Sequence, residues 1–165
     1  MRKKTMQIGN RIFDVAGSTY IMGILNVTPD SFSDGGQYNH TDAALRHTEK
    51  MIAEGADLID IGGESTRPGY KKITDDEEIE RTAGRFDIPV SIDTYKSKVA
   101  SAALQAGADM VNDIWGLKYD KALAKVISGA QAACCLMHNR RETAYGDFME
   151  DVKTDLRETL AIAGN

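Results

Sequence analysis

One short segment of this sequence occurs twice in similar form. Each copy joins the end of a predicted helix to the start of a predicted strand. Residues 53–61 read AEGADLIDI and residues 105–114 read QAGADMVNDI. In both copies a glycine ends the helical pattern, and a short run of large apolar residues follows it. Such an internal repeat indicates βα units in series, which build parallel sheets and barrels.

The rest of the hydrophobic pattern predicts five βα units behind an N-terminal β-hairpin, which turns at residues 9–10. The hairpin strands are expected at 6–8 and 11–15, and the five strands that follow at 21–25, 56–61, 89–92, within 105–114, and at 132–137. Three helices are expected at about 42–54, 74–83 and 98–106, and a fourth from a cap at Asp120 to Gly129. The last helix is expected to end at Gly164, with an apolar face made of Phe148, Val152, Leu156 and Leu160.

Alternating strands and helices leave two architectures open, an open doubly wound sheet and part of a (β/α)8 barrel. No G-x-G-x-x-G sequence follows the first strand, which weakens the doubly wound alternative. Polar residues stand at the predicted strand ends, which meet at the active-site mouth of a barrel. They are Asn26, Asp60, Asp93, Asn112 with Asp113, and His138. The sequence therefore favours an α/β fold, an incomplete TIM-type (β/α)8 barrel with an N-terminal β-hairpin, as one domain over residues 1–165.

Composition excludes several classes of function. The net charge of -5 offers no basic stripe for phosphates, so no nucleic-acid partner is expected. No apolar run reaches the roughly 20 residues of a membrane span, and no apolar signal segment follows residues 1–4, so a cytoplasmic protein without a membrane partner is expected. The adjacent Cys134 and Cys135 suit neither a disulfide framework nor a C-x-x-C zinc site, and are predicted to be buried strand thiols.

Several polar residues in the loops after the strands have two interpretations from residue chemistry alone. Asn26 is either a turn asparagine or an oxygen ligand for a hard cation. Asp93 either caps a helix or accepts hydrogen bonds from ring N–H groups. Arg67 is either a solvated surface residue or a ligand for an anion. These alternatives stay open at the level of single residues.

Four motifs together resemble the successive signatures of dihydropteroate synthase. They are ILNVTPDSFSDGG at 24–36, DIGGESTRPG at 60–69, SIDT at 91–94 and NDI at 112–114. The resemblance implies a transferase of folate biosynthesis. Such an enzyme condenses 6-hydroxymethyl-7,8-dihydropterin diphosphate with 4-aminobenzoate and forms 7,8-dihydropteroate and pyrophosphate, with Mg²⁺ as cofactor.

The resemblance also implies roles for individual residues. Asn26 is implied as the metal ligand, and Asp93 and Asn112 as the pair that binds the pterin. Thr66 and Arg67, on the loop after the second strand of the barrel, are implied as ligands of the diphosphate or of the aminobenzoate carboxylate. The catalytic set is therefore expected to be Asn26, Arg67 and Asp93, acting through a dissociative mechanism without a side-chain nucleophile.

Further residues of the two loops and the last strand end carry weaker expectations. Phe32 and Pro68, one on each loop, either flank the aromatic amine and exclude water or only pack their loops. Asp34 is a candidate partner for Arg67 across the loops. His138 is expected to be a core or rim histidine without a catalytic role.

The chain carries five units, whereas a closed barrel has eight and typically takes about 250 residues. The later signatures of the family have no matching positions in it. Three hypotheses follow: a truncated synthase with little activity, a half that acts as a homodimer or with a complementing chain, and a non-catalytic pterin-binding module. A pterin-dependent methyltransferase is the alternative enzyme class, but the loops after Leu25 and Ile61 favour the synthase.

Overall fold

The computed structural model describes residues 4–26, 37–62 and 88–164, with side chains of the first helix described from residue 43 onward. Seven strands lie in this part: β1 (Thr5–Ile8), β2 (Arg11–Asp14), β3 (Met22–Asn26), β4 (Leu58–Gly62), β5 (Val90–Asp93), β6 (Met110–Asp113) and β7 (Ala133–Leu136). Four helices accompany them: α1 (Gln37–Ala53), α2 (Ser97–Gln105), α3 (Leu123–Ala130) and α4 (Phe148–Ala163). The predicted helix at 74–83 lies outside the described residues.

Two helix boundaries differ from the prediction. Helix α1 begins at Gln37, five residues before the predicted start at 42. Helix α3 passes through Gly129 and ends at Ala130, because Gln131 adopts the left-handed conformation with φ 53°. The predicted cap of α3 at Asp120 is wrong, because the N-cap residue of the observed helix is Ala122. Asp120 instead accepts a hydrogen bond from Ala122 N at 2.9 Å. Its other carboxylate oxygen accepts from Ser97 N of α2 at 2.8 Å, so this side chain also serves the preceding helix.

Strands β3 to β7 form one parallel sheet whose order follows the order of the chain. A doubly wound sheet reverses its strand order at a switch point, whereas a barrel adds each strand beside the previous one. The observed order excludes the doubly wound alternative for the described strands. It agrees with the predicted incomplete barrel of βα units.

One face of this sheet packs against the helices and forms the core. Leu25, Ile61, Ile92 and Val111 occupy matching positions on four adjacent strands and are at most 4% exposed. Helix α1 covers the β3–β4 side of this face. Helices α2 and α3 cover the rest, with core residues such as Val99 and Leu123. The 3.6-residue pattern of the helices and the continuous apolar runs of the strands follow from this packing.

The antiparallel hairpin β1–β2 covers the other face of the sheet near its amino ends. Ile8 and Phe13, each 2% exposed, form a cluster with Leu58 and Met110. The turn at Gly9, with φ 55°, uses a conformation that glycine adopts without strain. The predicted hairpin is present, and it closes the base of the incomplete barrel.

The sequence repeat has a structural reason in its aspartates. Asp57 Oδ2 accepts a hydrogen bond from Ile21 N at 2.9 Å, and Asp109 Oδ2 accepts from Val90 N at 3.0 Å. In each copy the carboxylate that precedes one strand thus satisfies a backbone donor at the start of the previous strand. The repeated aspartate therefore attaches each of these βα units to the one before it through a backbone hydrogen bond.

Two expectations about burial are wrong. Cys134 and Cys135 are exposed, because β7 is an edge strand of the described sheet. On α4, Phe148 and Leu160 of the predicted apolar face are 58% and 67% exposed, while the neighbouring Thr159 is buried. An edge strand leaves part of the last helix without a packing partner in the described residues. None of the helices in the described ranges is long and apolar enough to cross a membrane.

Candidate functional site

Four polar side chains lie towards the carboxyl end of the parallel sheet. They are on the face whose amino end the hairpin covers. They belong to four adjacent strands, and they are Asn26, Asp60, Asp93 and Asn112. Asn26 pairs with Gly62 in the sheet register, and Asp93 pairs with Asn112. Because the carboxyl ends of parallel strands meet at one edge, the sheet brings together residues that are far apart in the sequence.

Gly62 leaves an open space between two of these side chains. A methyl group built on Gly62 would lie 3.6 Å from Asp93 Oδ2 and 3.8 Å from Asn26 Oδ1. An amide oxygen and a carboxylate oxygen therefore face the same small volume. Hard oxygen donors of this kind suit Mg²⁺, which commonly takes few protein ligands beside substrate oxygens and water. Across the described ranges, no cluster of three or more His, Cys, Asp or Glu residues could hold a metal.

The structure also bears on the alternative interpretations of these residues. Helix α2 has its N-cap at Lys96, so Asp93 is not the N-cap residue. Asn26 is the last residue of β3. Both side chains belong to strand ends at the mouth of the incomplete barrel, where ligands of parallel α/β folds bind.

Asp60 joins this site from the middle of β4, although it was predicted only as a residue at a strand end. Asn112 Nδ2 donates a hydrogen bond to Asp60 Oδ2 at 2.9 Å. Asp60 is 5% exposed, and Ser91, its register partner on β5, is fully buried. The signal in the sequence was a carboxylate inside the apolar run LIDIG, every residue of which is buried. A carboxylate in such a strand requires a polar partner.

The thiol of Cys135 lies near this group of residues. Partial burial, and then the negative charge of Asp60, raise the pKa of Cys135. The Cys135 thiol therefore stays protonated to a higher pH than an ordinary cysteine thiol does. It is not an activated nucleophile.

Asp113 is fully buried but serves the loop that follows β6 and not the site. Its two oxygens accept hydrogen bonds from Trp115 N at 2.8 Å and from Leu117 N at 2.6 Å. Burial raises the pKa of Asp113, and these two hydrogen bonds oppose the rise. The carboxylate thus holds a tight turn in which Leu117 adopts φ 66°.

His138, at the end of β7, takes part in an ionic network with α4. Its Nε2 lies 2.7 Å from Asp155 Oδ2. Arg140 donates to both oxygens of Asp155, from Nε at 2.6 Å and from Nη2 at 3.2 Å. Its Nη1 also lies 3.3 Å from Asp151 Oδ2. The network fixes the loop after β7 to α4, so His138 is a rim histidine with a structural partner, as expected from the sequence.

This network predicts a pH dependence of stability. Hydrogen bonds from Arg140 lower the pKa of Asp155 from 3.8 to about 2, burial opposes the shift, and His138 adds to it. Because the folded pKa is the lower one, the ionised carboxylate stabilises the fold above about pH 4, and this contribution is lost as the pH falls towards 2. We expect Asp155→Asn to lower the urea midpoint at pH 7. The difference from wild type should shrink between pH 4 and pH 2.

A matched control is Glu158→Gln. Glu158 lies on the same helix, and its exposed carboxylate is 3.4 Å from Lys118 Nζ. A pair of this kind contributes little, so the control should unfold like wild type. A deficit of Asp155→Asn that stays constant down to the lowest pH would show that packing, and not charge, explains the effect.

A separate cavity of about 240 Å³ opens beside this network. It is lined by Trp115, Lys118, Tyr119, Asn139, Arg140, Arg141 and Asp155. None of the four polar residues of the candidate site contributes to it. Arg140 and Asp155, which both line it, are already paired with each other.

The remaining predicted site residues lie outside the described part of the chain. They are Thr66 and Arg67, together with Phe32, Asp34 and Pro68. The structure therefore brings together Asn26, Asp93 and Asn112 of the predicted site and adds Asp60 to them.

Comparison with known proteins agrees with this geometry. The family model described as pterin binding enzyme matches residues 22–165. The curated dihydropteroate synthase of Clostridium beijerinckii is 55% identical, over 96% of this chain and 61% of that protein. The dihydropteroate synthase of Bacillus subtilis is 51% identical, over 88% of this chain and 53% of that protein. The chain thus spans between half and two thirds of the length of these relatives.

Solved structures of dihydropteroate synthases share the fold of this chain. The dihydropteroate synthase of Clostridium difficile, determined in the presence of pteroic acid, is 48% identical with a TM-score of 0.84, over 96% of this chain and 60% of that one. The enzyme of Xanthomonas albilineans with 4-aminobenzoic acid is 36% identical with a TM-score of 0.85, over 98% of this chain and 61% of that one. These similarities confirm the expected barrel relationship and the resemblance to the first five units of such enzymes.

Proposed function

This chain belongs to the family of pterin binding enzymes, and we propose that it carries the pterin half of a dihydropteroate synthase site. The proposed reaction condenses 6-hydroxymethyl-7,8-dihydropterin diphosphate with 4-aminobenzoate to give 7,8-dihydropteroate and pyrophosphate. The observation that carries the proposal is that Asn26 and Asp93 face the same space above Gly62, with Asn112 beside Asp93 on the next strand. Similar proteins with pteroic acid and with 4-aminobenzoic acid support it.

Asp93 and Asn112 are proposed to bind the edge of the pterin ring. They are register partners on β5 and β6, so their side chains emerge on the same face of the sheet. A carboxylate accepts hydrogen bonds from ring and amino N–H groups, while a carboxamide both accepts and donates. Together they can offer hydrogen-bond acceptors to the N–H groups of a pterin edge, because the NH₂ group of Asn112 is already bonded to Asp60.

Asn26 is proposed to hold Mg²⁺ through its amide oxygen, with the diphosphate supplying further oxygens. Its Oδ1 and Asp93 Oδ2 both face the space above Gly62. When bound there, the ion would supply charge neutralisation for the departing pyrophosphate. The amide oxygen of Asn26 adds no charge of its own, so it positions the diphosphate without repelling it.

The chemistry proposed for the chain itself is binding and orientation. Asp93 and Asn112 hold the pterin so that its exocyclic methylene is open to the arylamine. The C–O bond to pyrophosphate breaks first, and the arylamine nitrogen then forms the new C–N bond at the methylene carbon. The arylamine proton then passes to solvent. Thr66 and Arg67 stay predictions as ligands of the diphosphate or of the aminobenzoate carboxylate.

Association with a second copy or with a complementing chain is proposed as the way in which the site is completed. Strands β3 and β7 each have one neighbour in the described sheet. Ile24 on β3 is 62% exposed, on the face that carries the site. Apolar residues on open sheet edges favour association.

We also propose that residues 1–165 form one domain and that the protein is cytoplasmic.

The proposal is tested by pyrophosphate release from purified, folded chain with dihydropterin diphosphate, 4-aminobenzoate and Mg²⁺. We expect release that requires both substrates and falls when EDTA removes the metal. The dihydropteroate product should form in a one-to-one ratio with pyrophosphate.

Two controls make the test specific. Omitting 4-aminobenzoate separates synthase turnover from hydrolysis of the diphosphate ester. Adding a separately expressed C-terminal part of the Clostridium beijerinckii relative tests completion by a second chain. A folded chain that releases no pyrophosphate with both substrates present, whether alone or with the added C-terminal part, would contradict synthase activity.

A further inference from the structure

Asn112 can present its carboxamide in two orientations, and the sheet selects one of them. Its terminal group lies 2.9 Å from Asp60 Oδ2. The NH₂ nitrogen of Asn112 is the atom that faces this carboxylate, and it donates the hydrogen bond. The carbonyl oxygen Oδ1 of Asn112 is thereby turned away from Asp60. The hydrogen bond thus determines which atom of the amide is an available acceptor.

The buried carboxylate of Asp60 has fewer hydrogen bonds than its two oxygens can accept. The residue is 5% exposed, and its second oxygen, Oδ1, has no hydrogen-bond partner within the described ranges. The hydroxyl of Ser91, its register partner, is also buried and likewise without a partner there. A buried carboxylate with an unsatisfied oxygen costs free energy of folding. Fold stability therefore gives no reason for a carboxylate at this position.

We infer that Asp60 is a positioning residue for the ligand site: it locks the Asn112 carboxamide so that Oδ1 accepts hydrogen bonds from the N–H edge of a pterin. The inference rests on the proposed function and deepens it, because it assigns the acceptor that faces the ring. Asp60 acts through Asn112, which touches the ligand. A charge-assisted hydrogen bond holds the amide before the ligand arrives, which lowers the ordering cost of binding.

A double-mutant cycle tests this orientation. In Asn112→Asp, two carboxylates face each other across the former hydrogen bond, and affinity for 6-hydroxymethylpterin should fall about 100-fold. In Asp60→Asn, the charge-assisted bond becomes a neutral one that no longer fixes the amide, and affinity should fall about 10-fold. The double variant, Asp60→Asn with Asn112→Asp, reverses donor and acceptor and again leaves an acceptor towards the ligand. It should recover about 10-fold over Asn112→Asp.

Binding is measured by titration calorimetry with 6-hydroxymethylpterin alone, and urea unfolding of each variant accompanies it. Asp57→Asn is the matched control, because Asp57 lies just before β4 at its opposite end and bonds to Ile21 N. That control should bind like wild type. Asp60→Asn should be at least as stable as wild type although it binds less tightly, whereas a purely structural Asp60 would lower stability and leave affinity unchanged.

The outcomes separate this inference from the proposed function. If wild type does not bind the pterin, the proposed pterin site and the inference both fail. If wild type binds but the double variant is weaker than either single variant, or if Asp60→Asn binds like wild type, the inference alone is overturned and the pterin site stands.

Discussion

Replacing Gly62 with alanine is expected to leave the fold intact and to lower the affinity for dihydropterin diphosphate with Mg²⁺ about 100-fold. The new methyl group would meet Asp93 Oδ2 at 3.6 Å and Asn26 Oδ1 at 3.8 Å, which are ordinary van der Waals distances. The protein therefore has room for it. The same methyl group fills the space that both oxygens face, so a cation or a diphosphate oxygen is excluded from it.

The measurement combines calorimetry of ligand binding with urea unfolding. Gly129→Ala is the matched control, because a methyl group on Gly129 meets nothing within 4 Å. It should bind like wild type and, in a helix, be as stable or slightly more stable. Asn26→Ala should weaken binding in the same direction as Gly62→Ala, since it removes one of the two oxygens. Unchanged affinity in Gly62→Ala would show that the ligand does not enter the space between Asn26 and Asp93.

Phe13→Ala is expected to destabilise the fold by about 3–5 kcal/mol. The ring is 2% exposed and packs edge-on against Tyr20, with ring centroids 4.7 Å apart. It also belongs to the cluster with Leu58 and Met110, through which the hairpin closes the base of the sheet. Its removal leaves a cavity under two strands of the sheet and weakens the attachment of the hairpin.

Urea unfolding checks this effect, with Ile12→Ala as the control from the same strand. Ile12 points to the opposite side of the hairpin and is 69% exposed, so its truncation should change the free energy of unfolding by no more than about 0.5 kcal/mol. A cost below about 1 kcal/mol for Phe13→Ala would be incompatible with the packing of the hairpin described above.

The element order was predictable because it depends on local periodicity. The strands were expected within one or two residues of β3, β4, β5 and β7, and β6 was expected within 105–114. The hairpin turn at Gly9–Asn10 was correct. Polar residues at strand ends predicted three members of the site, Asn26, Asp93 and Asn112, since parallel strands place their carboxyl ends together. Their proposed roles came from the resemblance and not from these patterns.

Burial at the end of the chain was not predictable from periodicity. Cys134 and Cys135 lie in an apolar run, but whether that run is buried depends on a neighbouring strand, and β7 has only β6 beside it in the described sheet. The same reason explains why Leu160 of α4 is exposed. An apolar pattern shows which residues prefer to be buried, and the number of packed neighbours decides which of them are.

The sequence by itself determined the order of strands and helices, the hairpin and the edge of the sheet at which polar side chains meet, because each depends on patterns within a few residues. Only the tertiary structure decided that Asp60 bonds to Asn112, 52 residues away, and that Gly62 leaves a space between Asn26 and Asp93. These contacts depend on the register of adjacent strands. A shift of one residue would move each side chain to the opposite face, and local sequence does not record that register.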